Sequence, residues 1–142
     1  MTPIEANKAL VRRYIEEGLN AADPAVIAEL LVPDGLCHGP AQFAARPASA
    51  VPMSDRAPEG LPPLIIEHMV ADGDKVATRA VRGPLYSAST DEMRGGAEDA
   101  SQGPVTVRSS VYHTTVFIHR LEGDKIVEEW RIEDIRAVGS HF

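Results

Sequence analysis

A single cysteine, Cys37, is all the thiol chemistry this chain holds. That excludes an intrachain disulfide and any cysteine-based zinc cluster. Cys37 itself reads as a small core hydrophobe rather than a nucleophile. The chain also lacks any run of lysine and arginine, and its net charge is −7. Nucleic acid and anionic membrane surfaces, which attract basic patches, are therefore excluded as main partners. No stretch approaches the roughly 20 apolar residues of a membrane helix. The start "MTPIEANKAL" lacks the basic opening and apolar run of a signal peptide. A soluble, cytoplasmic protein is the expectation. The five histidines show no HxH or HExxH spacing, so no metal site is expected. "GDKV" and "RGGAED" are not phosphate loops, and no serine sits in a nucleophile elbow.

What remains is a chain of 142 residues, 44 % hydrophobic and 25 % charged. That composition suits one globular domain over 1–142 with a core of its own. Thr2-Pro3-Ile4-Glu5 carries a capping box with proline at the first helical position. Ile4, Val11, Ile15 and Leu19 continue it as a helical stripe, predicting a helix over 3–18 with Tyr14 beside the stripe. Asp23-Pro24 repeats the start signal, and Val26, Ile27, Leu30 and Leu31 form a second apolar face that Pro33-Asp34-Gly35 ends. Six of the eleven prolines then fall between 39 and 63, which predicts a long irregular loop. Strands are expected over 64–71 and 75–82 around Asp72-Gly73-Asp74, and over 105–120 and 125–135 around Glu122-Gly123-Asp124. Residues 87–103 hold no leucine, isoleucine, valine or aromatic and read as a polar excursion. Helices followed by a strand meander make an α+β domain.

The stretch "EEWRIEDI", 128–135, raises the sharpest chemical question. Strict alternation puts Ile126, Trp130, Ile132 and Asp134 on one face and Val127, Glu129, Arg131 and Glu133 on the other. The first face reads as core and the second as solvent, which strands an aspartate among apolar neighbours. A carboxylate there is paired, protonated or used. If the hairpin loop has two or four residues, His113 stands opposite Asp134 or diagonal to it, with opposed Cβ atoms ~5 Å apart. A three-residue loop or a bulge places Tyr112 there instead. Such a His–Asp pair suits moving a proton at carbon beside a carbonyl. The bland alternative is an aspartate near a strand end that caps a loop or pairs with Arg136 or Arg79.

Residues 7–40, "NKALVRRYIEEGLNAADPAVIAELLVPDGLCHGP", resemble the opening of SnoaL-like polyketide cyclases. "LEGDKIVEEWRIEDI", 121–135, resembles their closing hairpin, and "VADGDKVATR" fits the middle one. These belong to the nuclear transport factor 2-like superfamily. The resemblance implies a cone-shaped barrel of a strongly bent antiparallel sheet wrapped by N-terminal helices. It further implies ring closure of a polyketide-like substrate without metal or cofactor, with an aspartate on the last strand as acid/base. Asp134 matches that aspartate, and His113 or His119 the histidine of the preceding strand, His113 being preferred on register. Tyr14 matches a pocket-facing helix position, and His38 a histidine common after the second helix. Trp130 reads as core or pocket wall. The expected site is thus Asp134 and His113 for catalysis, with Tyr14, His38 and Trp130 binding a small apolar substrate. The chain departs from the family in its proline-rich loop and its different ending. It also has Glu129 where many relatives carry histidine.

Among the other histidines, His68 reads as a core histidine, His119 as rim or solvent, and His141 as part of a disordered end. A homodimer through the open sheet face is expected. The rival reading is a binding or dimerising module without catalysis. It would show a cavity filled by side chains and Asp134 bridged to an arginine. Ketosteroid-isomerase-like or epoxide-hydrolase-like chemistry is the alternative within enzymes.

Overall fold

The computed structural model of the chain describes residues 2–39, 44–91 and 105–139, with backbone alone for 85–91, 105–110 and 137–139. Helix α1, Pro3–Arg13, opens with the expected capping box: Thr2 Oγ1 accepts from the Glu5 amide at 3.1 Å, and Glu5 Oε2 accepts from the Thr2 amide at 3.0 Å. At Tyr14 the helix widens into a π-helical turn, Tyr14–Leu19, closed by the Asn20 amide on the Ile15 carbonyl. The uniform helix expected over 3–18 is thus two kinds of helix. The wide turn keeps Tyr14, Ile15, Gly18 and Leu19 all buried. Helix α2, Pro24–Leu30, starts where expected, with Asp23 Oδ1 accepting from the amides of Ala25 and Val26.

From Leu31 the chain runs straight into an unforeseen strand. Pro33 cannot continue a helix, and β1, Leu31–His38, takes its place. The proline-rich stretch follows as short pieces: β2 (Arg46–Pro47), a 3-10 turn (Ala48–Ala50) and helix α3 (Met53–Arg56). The four predicted strands come next: β3 (Ile65–Asp72), β4 (Lys75–Asp91), β5 (Val105–Glu122) and β6 (Lys125–Gly139). Their two tight turns rest on Gly73 and Gly123 at φ 58° and 61°, backbone that favours glycine. The first residues of the predicted polar excursion, 87–91, continue β4. The remainder, 92–103, and His141 lie outside the described residues.

The six strands form one sheet in the order β2-β1-β6-β5-β4-β3. The sheet is mixed rather than antiparallel throughout, because β1 runs parallel to β6. The helices cover one face: Val11, Tyr14, Ile15, Leu19, Ile27 and Leu30 pack on Val76, Ala80, Phe117, Leu121 and Ile126. On β3 the inner positions are Ile66, Met69 and Ala71, which pack against this core. His68 points outward and is exposed, contrary to the expected core placement.

One residue decides what the last strand presents. Leu121 pairs with Ile126, but Arg120 pairs with Glu128, so Val127 is extra. This bulge reverses the alternation. Beyond it, His113, Thr115, Phe117 and His119 share the inner face with Ile135, Glu133, Arg131 and Glu129. Asp134 stands opposite Thr114 on the outer face, with Trp130 and Ile132. Ile126, before the bulge, is in the core as expected; from Glu128 on, the face predicted for solvent is the inner one and the face predicted for the core is the outer one.

Strand β1 is irregular at the same level, between Leu31 and Leu36. A Cβ on Gly35 would sit 3.0 Å from the carbonyl oxygens of both Val32 and Val127, so a side chain there crowds the passage of β1 over the bulge. Gly35→Ala is expected to destabilise the fold by about 1–3 kcal/mol, read as a lower urea midpoint at unchanged slope. An unaltered midpoint would show that the bulge does not depend on this close approach.

Candidate active site

A cavity of about 600 Å3 opens between β1, residues 44–58 and the inner face of β6. Its strap side carries Ala44, Val51 and Pro58, and its β6 side Glu129, Arg131 and Glu133, with Arg56 between. The volume is in the range of small-molecule sites. One wall is charged, so the cavity is less apolar than the sequence led us to expect.

Glu129 is the centre of the polar wall and is only 3 % exposed. Tyr14 donates its hydroxyl proton to Glu129 Oε2 at 2.6 Å, and Arg56 Nη1 donates to the Tyr14 oxygen at 2.8 Å. Arg56 Nη1 also lies 3.5 Å from Glu129 Oε2. On the other oxygen, Arg131 donates from Nε at 3.3 Å and Nη2 at 3.1 Å. His119 Nε2 approaches Glu129 Oε2 to 3.5 Å without a well-aligned hydrogen bond. Arg131 is held further by its guanidinium lying 4.9 Å over the Phe117 ring. Burial works to raise the carboxyl pKa of Glu129. Arg131, His119 and Arg56 outweigh it and hold the group far below the usual carboxylate range. Burial, with the Glu129 charge, pushes the Tyr14 hydroxyl well up, so Tyr14 is a neutral donor. Burial likewise raises the Cys37 thiol, seconded by Glu129 and opposed by Arg56. A protonated Cys37 is no nucleophile.

Glu133 is in a different state. It lines the cavity, with a side chain one-third exposed. Its Oε2 lies 3.4 Å from His113 Nε2, and its Oε1 4.0 Å from Arg131 Nη1. These are approaches rather than formed hydrogen bonds. Glu129, Arg131 and Glu133 therefore set two carboxylates about one guanidinium on one strand face. The first is fixed by hydrogen bonds, and the second is partly exposed to solvent.

The expected site residues are distributed differently. Asp134 is on the outer face, 57 % exposed at the side chain, and accepts from Arg136 Nε at 2.9 Å. It does not meet His113, whose carboxylate neighbour is Glu133. The arginine bridge to Asp134 is what the non-catalytic reading asked for, but the cavity is open rather than filled. Tyr14 is fully buried and supports Glu129 from beneath rather than lining the cavity. Trp130 faces outward and stacks on His38 with ring centres 5.0 Å apart. His38 contributes to the cavity rim, while its Nε2 bonds Glu128 at 2.7 Å, which also holds Arg120. His119, expected at the rim or in solvent, is fully buried between Tyr14 and Phe117.

Sequence reading missed Arg56, Arg131 and Glu133, and took Glu129 only as a departure. The alternation Glu129/Arg131/Glu133 was visible, but it reads as an ordinary solvent face unless the bulge is known. Among the described residues no group of three His, Cys, Asp or Glu is placed to hold a metal ion, and no helix is long and apolar enough to cross a membrane.

Comparison with known proteins follows from this geometry. A family model described as "SnoaL-like domain" matches residues 11–129. No curated protein sequence matches. Solved structures do. A candidate SnoaL-like polyketide cyclase from Jannaschia sp. CCS1 is 20 % identical with a TM-score of 0.62, over 94 % of this chain and 90 % of that one. IdmH, a candidate polyketide cyclase from Streptomyces antibioticus, is 22 % identical with a TM-score of 0.58, over 90 % and 91 %. An epoxide hydrolase from M. tuberculosis is 14 % identical with a TM-score of 0.62, over 94 % and 86 %. At such identities these similarities establish the α+β fold.

Removing one partner of a buried charge cluster leaves the others unpaired. Glu129→Gln is expected to cost about 3–5 kcal/mol. The folded pKa of Glu129 is depressed below its ordinary 4.5. Its contribution is therefore complete above that value and lost as pH falls below it. Urea midpoints should decline from about pH 5 downward in the wild type and decline less in Glu129→Gln. Equal slopes in both proteins would refute the assignment.

Proposed function

The chain belongs to the SnoaL-like domain family, and from that premise we propose that it is a cofactor-independent enzyme, a cyclase of a polyketide-like intermediate. The substrate has an apolar body and carbonyl oxygens. The body lies against Ala44, Val51 and Pro58, and the oxygens turn to the β6 wall. Glu133, with His113 beside it, removes a proton from carbon next to a carbonyl and returns it after ring closure. Arg131 faces the enolate oxygen as its negative charge develops. Glu129 is held too firmly by its partners to exchange a proton. The observation that carries this reading is the contrast between a locked and an accessible carboxylate in one cavity. On this reading His113 keeps the role expected from the sequence, and Glu133 takes the role expected of Asp134.

A second reading draws on the same wall. Two carboxylates about one guanidinium can position and deprotonate a water, as an epoxide hydrolase requires. Hydrolysis of an epoxide in 18O-labelled water places one non-exchanging 18O in a diol product, which distinguishes it from cyclisation, where only ketone oxygens exchange with water.

Glu133→Gln and His113→Ala are each expected to lower turnover of a linear polyketone substrate by about 10²-fold or more, the scale of general acid/base catalysis. Product formation followed by mass spectrometry checks this. Asp134→Asn is expected to change the rate less than about twofold, and a large loss there with Glu133→Gln unimpaired would overturn the assignment.

A homodimer is part of the proposal. Ile132 is 64 % exposed on the outer sheet face, and Tyr112 and Ile118 on the adjoining strand are also exposed. Such a face suits burial against a second copy. Light scattering on eluting protein is expected to give twice the chain mass, and Ile132→Arg the mass of one chain. A wild-type mass of one chain would remove the dimer.

A further inference from the structure

Residues 44–58 supply more than half of the cavity lining, yet they are weakly tied to the sheet. Strand β2 contributes two paired residues, Arg46 with Cys37 and Pro47 with Leu36. Ala48 and Met53 lean on the core from its edge. Among the described residues of this strap, Arg56 is the one buried charged side chain, 5 % exposed. It is carried by α3, a helix of four residues that ends at Arg56 itself.

Arg56 is gripped at both ends. Its Nη1 donates to the Tyr14 oxygen at 2.8 Å and lies 3.5 Å from Glu129 Oε2. Its Nη2 reaches Cys37 Sγ at 3.6 Å. Its own carbonyl accepts from Arg131 Nη1 at 3.2 Å. One strap residue therefore touches α1's continuation, β1 and β6 together. It also orients Arg131, which in turn approaches Glu133.

We propose that Arg56 is a positioning residue that couples closure of the 44–58 strap to assembly of the charged wall. With the strap closed, Arg56 and Arg131 balance Glu129 and Glu133. With the strap lifted, Glu129 loses the Arg56 guanidinium, and Arg131 loses the carbonyl that fixes its Nη1. The wall is then misassembled and water fills the cavity. A substrate body that packs on Ala44, Val51 and Pro58 makes those contacts only with the strap down, so it draws the wall into its working arrangement. A bound molecule therefore holds the strap down and keeps the wall ordered. The inference rests on the cavity being the active site, but the latch is measurable without any substrate.

The test is hydrogen exchange, followed by mass spectrometry, on the full chain and on Arg56→Ala and Arg56→Lys. Arg56→Ala is expected to speed exchange over 44–58 at least tenfold and leave strands β4 to β6 unchanged. Arg56→Lys should recover only part of the protection, because an ammonium cannot reach Tyr14 and Cys37 at once. Ethylguanidinium at low millimolar concentration should restore protection to Arg56→Ala saturably. Unchanged exchange over the strap, equal loss through the sheet, or no restoration by ethylguanidinium would each overturn the proposal. Loss of turnover in Glu133→Gln bears on the function alone. A working latch with an inert Glu133 would thus separate the two ideas.

Discussion

A buried carboxylate must be matched, and the architecture of this site follows from matching Glu129. The bulge at Val127 turns Glu129 inward, where an isolated charge would be costly. Each element that meets it brings a donor. The π-helical turn begins at Tyr14, β6 brings Arg131 two residues on, and α3 brings Arg56 from the strap. Remove the carboxylate and Arg56 is left without its counter-charge, while Arg131 keeps only the distant Glu133. This makes Glu129 a strut for the wall rather than its reagent. The same logic explains why Tyr14, fully buried, keeps a hydroxyl where a phenylalanine would pack as well.

The bulge also separates two kinds of polar cluster on one strand. Inward lie Glu129, Arg131 and Glu133. Outward lie Glu128, bonded to His38 and Arg120, and Asp134, bonded to Arg136. The outward pairs are partly or wholly solvated and contribute little each. The inward cluster is desolvated, where charges interact strongly and geometry matters. Without the extra residue the two sets would exchange places, and the cavity would be walled by Trp130, Ile132 and Asp134. That is the arrangement that strict alternation predicts, so one inserted residue distinguishes an aspartate site from a glutamate–arginine one.

This is also where the sequence stops being legible. Local signals held well: the Thr2 capping box, the Asp23 cap and the glycine turns at 73 and 123 all sit where their chemistry demands. The four-strand meander follows from those turns. Strand β1 was obscured because Leu30 and Leu31 extend an apolar helical face, and only pairing with β6 draws Leu31 out of it. The site was less visible still. Both faces of β5 and β6 carry apolar and polar residues, so periodicity could not reveal a reversal of parity. Arg56 was hidden for another reason. It sits among prolines in a segment with no period, and nothing local distinguishes a buried arginine from a loop one. His68 was misplaced because β3 shifts register between Ile66 and His68. His119 was misplaced because its nearness to the turn at Gly123 hides that Tyr14 and Phe117 close over it.

A glutamate at 129 has a consequence that a neutral side chain there would not. A neutral group would need no guanidinium to balance it. Glu129 has two beside it, and one comes from the strap. One residue thus enlists a covering segment into the electrostatics of the wall. The proline-rich composition of 39–63 fits that demand, since prolines limit the chain's freedom when the strap is lifted. A strap that is stiff, weakly paired and anchored by one buried charge can move as a unit, carrying Arg56 into and out of the wall. In such a site the shape of the cavity and the state of its charges are set by the same motion, and a substrate that fills the cavity organises the chemistry that acts on it.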